Sequence, residues 1–165
     1  MKHALTLAAA SFLFTTPVLA QSAALTVSTG EFVRRVAVSD LFEIYSSQTV
    51  AQEADADTKP FAEQMIRDHQ KTSSELKALV QSGKVTADIP TLLDEPHKKK
   101  LDEIRSKLGA ERDQAYDRAQ VEAHREAVAL FESYAQSGDN PDLKQWAAAT
   151  LPQLRHHLQM AEQLK

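Results

Sequence analysis

The sequence predicts an all-α protein built as a four-helix bundle, and three observations carry that reading. Apolar residues recur at three-to-four spacing through nearly the whole chain from residue 28 onward. Glycine and proline are scarce, at 4 and 6 of 165 residues, too few for the many tight turns of an all-β sandwich. Where they do occur, most stand at the ends of the periodic stretches, as helix starts and stops require.

In chain order, residues 1–20 read as a secretory signal peptide. Met1-Lys2-His3 is a short basic start, Ala4 to Phe14 is an apolar run, and Thr15-Thr16-Pro17 breaks it before Val18-Leu19-Ala20. Cleavage is expected after Ala20, with Ala23 or Ala24 as alternatives. The apolar run falls well short of the roughly 20 residues that span a bilayer. No later segment approaches that length, so the expectation is a periplasmic or secreted protein with no transmembrane segment after signal cleavage. Residues 21–27 form a short N-terminal extension, and residues 28–165 the bundle domain.

Ser28 or Thr29 can cap a first helix running to about Ala56, with Glu31 in its first turn where an anion suits the helix dipole. Asp57 or Thr58 can cap a second, with Pro60 tolerated in its opening turn, that runs through Gln81 to Gly83. Lys84 to Pro90 reads as loop. Asp94-Glu95-Pro96 starts a shorter helix ending near Gly109, and a third long helix runs from about Glu111 to Gln136 before Gly138. Asp139-Asn140-Pro141 caps a fourth that continues almost to Lys165. Inside it, Pro152 either kinks the helix or divides it into two shorter ones.

Each long segment carries an apolar stripe. The second has Phe61, Met65, Thr72, Leu76 and Leu79; the third has Val121, Val128, Phe131 and Ala135. The fourth has Leu143, Ala147, Leu154, Leu158, Ala161 and Leu164, and the first, more weakly, Phe32, Val36 and Ile44. Helices of about 25 residues are roughly 37 Å long, enough to bury these faces against one another as a bundle. The linker over residues 83–110 is far longer than a hairpin between neighbouring helices needs. With its own helix it can travel the length of the bundle, the single long crossover of ferritin-like folds; the alternative is a decoration over an up-down-up-down bundle.

Composition excludes several functions. The absence of cysteine rules out disulfides, thiolate metal sites and cysteine nucleophiles. A net charge of -4 argues against nucleic-acid binding. No glycine-rich phosphate loop, nucleophile elbow or HExxH is present, and no catalytic constellation can be named, so an enzyme is not the expectation. His97-Lys98-Lys99-Lys100 reads as a solvated basic face, with contact to anionic lipid or peptidoglycan as the alternative.

The informative departure from the apolar stripes is histidine. His69 follows Phe61 and Met65 at steps of four, His124 lies between Val121 and Val128, and His157 lies between Leu154 and Ala161. The first helix carries Asp40 and Glu43 in the same position of its stripe. Each site is twelve to fifteen residues from its helix start, so Glu43, His69, His124 and His157 are expected to converge in one layer at mid-height. Three imidazoles and a carboxylate suffice to ligate Zn, Cu, Fe or Mn. Asp68, Asp117 and Gln120, with Asp40, are near enough in sequence to orient the rings. A one-residue slide of the fourth helix would bring in His156 instead of His157. The competing expectation is that His–carboxylate pairs form a polar network that only fixes helix register.

Met65-Ile66-Arg67-Asp68-His69, Asp117-x-x-Gln120-x-x-x-His124 and Leu151-Pro152-x-Leu154-x-x-His157-Leu158 together resemble one group, the exported bacterial ferritin-like family known as domain of unknown function 4142. The resemblance covers about residues 27–164. It implies a ferritin-like bundle in a periplasmic or outer-membrane-associated setting, and little about activity. Di-iron carboxylate bundles use Glu-x-x-His on two helices; here Ile66, Val121 and Leu154 stand three before the histidines, and none of them can bind metal. The expectation is therefore a single transition-metal ion or none. The first reading is an exported bundle binding one metal ion in its core. The alternative is a structural or stress-related envelope protein acting through surface contacts with an envelope or protein partner. The sequence leaves the oligomeric state open.

Overall fold

Residues 27–164 are described by a computed structural model, and they form five helices: α1 Thr29–Val50, α2 Thr58–Gln81, α3 Glu95–Arg105, α4 Gly109–Ser137 and α5 Pro141–Ala161. The signal-peptide and cleavage-site expectations over residues 1–26 lie outside the described residues, as does Lys165.

Local chemistry sets the helix ends. The Ser28 hydroxyl accepts from the Glu31 N–H, Asp94 accepts from the His97 N–H, and Asn140 Oδ1 accepts from the Leu143 N–H at 2.9 Å. Pro96 and Pro141 sit in first turns, where a missing N–H is harmless. Gly83, at φ +76, takes the left-handed turn that ends α2.

Two boundaries differ from expectation. The first helix stops at Val50 rather than Ala56, because the Asp55 carboxylate accepts the N–H groups of Asp57 and Thr58 and folds residues 51–57 into a turn. Gly109 opens α4 instead of closing α3. α5 is unbroken through Pro152, so the reading of two shorter helices is set aside. Pro152 and Ala148 are both exposed, so the Ala148 carbonyl released by the proline faces water.

Two apolar clusters fix the topology. The upper one joins Phe32, Leu76, Phe131 and Leu143; the lower joins Phe42, Phe61, Tyr116 and Ala161. Thus α1 runs down, α2 up, α4 up and α5 down, with α1 packed on α2 and α4, and α5 packed on α4 and α2. Because α2 ends where α4 also ends, the linker must return the full length of the bundle. It does so, from Val85 in the upper cluster to Leu101 and Ile104 in the lower, with α3 lying against α1 and α4. The long crossover is therefore present. No helix among the described residues is long and apolar enough to cross a membrane.

The stripes of α2 and α5 face inward much as the sequence suggests, but α4 is rotated. Phe131 of the expected stripe is buried, but Val121, Val128 and Ala135 are only half-buried, while Tyr116, Gln120 and Tyr134 are fully enclosed. Their polar tips hide them from an apolar-periodicity count.

Candidate metal centre

Between the two apolar clusters lies a buried polar layer. Asp40 and Glu43 come from α1, His69 from α2, Gln120 and His124 from α4, and His157 from α5, none more than 3% exposed. The mid-helix positions meet because antiparallel and parallel helices of similar length share their midpoints.

The three imidazoles form a near-equilateral triangle, with ring centroids 5.6, 5.7 and 5.5 Å apart. One ring nitrogen from each lies within 4.8 Å of the other two. Every ring is held from behind. His69 Nδ1 pairs with Asp40 Oδ1 at 2.8 Å, His124 Nδ1 donates to the Gln120 carbonyl at 2.9 Å, and His157 Nε2 pairs with Asp68 Oδ2 at 2.9 Å. The remaining nitrogens, His69 Nε2, His124 Nε2 and His157 Nδ1, are buried and have no hydrogen-bond partner. A histidine whose outer N–H is fixed on a carboxylate or carbonyl presents its other nitrogen as a lone pair, which is the usual posture of a metal-binding imidazole.

Electrostatics favours neutral ligands at two corners. Burial, reinforced by the charge of His69, pushes His124 down to about 3 and His157 down to about 4. His69 moves the other way: desolvation opposes its charge, but the Asp40 hydrogen bond and the charges of Asp40, Glu43 and Asp68 outweigh it and hold it above its ordinary value. Desolvation raises Asp40, and it lifts Glu43 to about 7.

Of the expected ligands, the three histidines converge and Glu43 does not join their triangle. Glu43 Oε1 lies 4.0 Å from His124 Nδ1, on the outer side of that ring, and neither of its oxygens has a hydrogen-bond partner. Of the expected orienting groups, Asp40 and Asp68 act through carboxylates, and Gln120 acts through its main-chain carbonyl while its side chain reaches Ser46 Oγ at 3.4 Å. Asp117 does not take part. It lies two turns below His124, accepts from the Thr58 hydroxyl, and is raised to about 6 by burial and by Asp55 and Asp113. His156 is exposed and His157 buried, which settles the helical phase of α5.

Two supporting residues escape sequence reasoning. Ser73 donates to Asp40 Oδ2 at 3.0 Å, and Gln64 donates to Asp68 Oδ2 at 3.2 Å. The available signal is the four-residue spacing of Ser73 from His69 and of Gln64 from Asp68, which places each pair on one helix face.

The family model described as Domain of unknown function (DUF4142) matches residues 14–164. No curated protein and no solved structure matches the chain.

Proposed function

The chain belongs to the DUF4142 family, and on that premise we propose that its bundle binds one divalent first-row transition-metal ion through His69, His124 and His157. The observation that carries this reading is a set of three buried imidazoles with one nitrogen of each within 4.8 Å of the others, each ring fixed by an acceptor and keeping one nitrogen without a partner. A cation between the rings would satisfy these buried nitrogens. A proton on His69 can satisfy one neighbour, whereas a divalent ion satisfies all three. Asp40, Glu43 and Asp68 supply the negative charge that offsets a dication in a low-dielectric core.

A layer that only fixes packing would close its hydrogen bonds on itself. This one leaves both Glu43 oxygens, Gln120 Oε1 and three imidazole nitrogens without partners, at a desolvation cost of about 1–3 kcal/mol for each such group. Three imidazoles without a thiolate suit Zn, Cu, Fe or Mn. Three protein ligands also leave a coordination position open, unlike a closed structural zinc site. The reading extends to location: the signal-peptide pattern of residues 1–20 supports an ion held in an exported compartment.

Titration with Co²⁺, followed by its visible absorption, tests the site. One equivalent should bind, and His69→Ala, His124→Ala and His157→Ala should each abolish saturable binding while circular dichroism stays helical. Asp40→Asn should weaken affinity about 10–100-fold. Saturable binding that survives all three alanine variants, or none in the parent protein, would overturn the proposal.

A further inference from the structure

A cavity of about 210 Å³ lies directly above the histidine layer. Its floor takes one residue from each bundle helix: Asp40 of α1, Thr72 three after His69, Ala127 three after His124, and Leu154 three before His157. Given the helix directions, these positions sit one turn above the histidines on the same side. Leu130 and Phe131 continue the wall upward, so the body of the chamber is apolar.

The mouth opens between α1, α4 and the crossover, where Arg34, Arg35, Asp94, His97 and Glu126 meet. Its charges are nearly all committed. Arg34 forks onto Glu31 and reaches Asp94 at 3.6 Å, Asp94 also pairs with His97, and Glu126 pairs with Lys100 at 3.8 Å. Arg35 makes no ion pair among the described residues; Glu31, which feels its charge, is already forked by Arg34. At the floor, Asp40 is occupied by His69 and Ser73.

We infer that this chamber is a binding site for a small monocarboxylate with an apolar body, its carboxylate on Arg35 and its body against Ala127, Leu130 and Leu154. A cavity of about 150 Å³ admits benzene, so this one accommodates a single ring with its acid group. A guanidinium is the donor best matched to a carboxylate. The inference stands apart from the metal reading, because no lining residue named for it is one of the three histidines.

Benzoate is the probe. Calorimetric titration into EDTA-treated protein should show saturable 1:1 binding, which keeps the outcome separate from whether the histidines hold an ion. Arg35→Gln should weaken binding about tenfold, and toluene should bind at least tenfold more weakly than benzoate. Ala127→Phe should abolish binding. Should that variant fail to fold, nuclear Overhauser contacts from the benzoate ring to the Ala127 and Leu154 methyl groups of the parent protein locate the ligand instead. Absence of saturable benzoate binding, equal affinity for toluene, or a ring located elsewhere would overturn the inference.

Discussion

At the scale of the residue, the histidines set how the protein answers to pH. His124 and His157 titrate near 3 and 4 when folded, against an ordinary 6.5. Between those values the unfolded chain binds protons that the folded chain does not. Their contribution to stability is thus full above about pH 6.5 and is lost as pH falls toward 4. Glu43 works in the opposite sense. Its folded value of about 7 exceeds the ordinary 4.5, so its contribution is present at low pH and is lost as pH rises through 7. Urea melts of chelator-treated protein should therefore show a fall in stability from pH 6.5 to 4, flattened in His124→Leu. Over the same interval, from about pH 4.5 to 7, Glu43 opposes that fall, so Glu43→Gln should make it steeper. The same residues show what sequence could reveal. His69, His124 and His157 were legible because each interrupts an apolar stripe near mid-helix. His156 and His157 were separable only by burial, because neighbours on a helix differ by about 100° in direction.

At the scale of the element, helix existence and order followed from periodicity and capping, while several ends and one face did not. The turn after α1 depends on the Asp55 side chain competing for backbone N–H groups, a choice that apolar spacing cannot register. The inward face of α4 is written in Tyr116, Gln120 and Tyr134: the Tyr116 hydroxyl shares a hydrogen bond with Ser47 at 2.8 Å, and the Tyr134 hydroxyl donates to Asp139 at 3.0 Å while its ring stacks on Phe32 at 4.0 Å. Gly138 illustrates a right position with a different reason. It ends α4 at φ -57, so no left-handed turn requires it. A Cβ there would instead meet the Tyr134 ring and carbonyl at 2.6 Å. Gly138→Ala should consequently destabilise the fold by about 1–3 kcal/mol through overpacking, measured by chemical denaturation. An unchanged midpoint would contradict this reading of Gly138.

At the scale of the whole molecule, the polar layer divides the core into an upper and a lower apolar cluster, and four helices cross that division. The crossover was legible because a linker of that length has to go somewhere; its course against α1 and α4 required the packing to be seen. An ion on His69, His124 and His157 would tie α2, α4 and α5 together at the level where apolar contact is weakest. Loading at a thousandfold excess over Kd contributes about 4 kcal/mol, which is on the order of 10 °C in melting temperature for a domain of this size.

The most direct test is elemental analysis of the protein purified from its producing cells without chelator or affinity tag, paired with melting curves with and without EDTA. The account predicts close to one equivalent of a single transition metal and a melting temperature that falls by roughly that amount on chelation. A metal-free protein whose melting is indifferent to EDTA and to added Zn²⁺, Cu²⁺, Fe²⁺ or Mn²⁺ would contradict it.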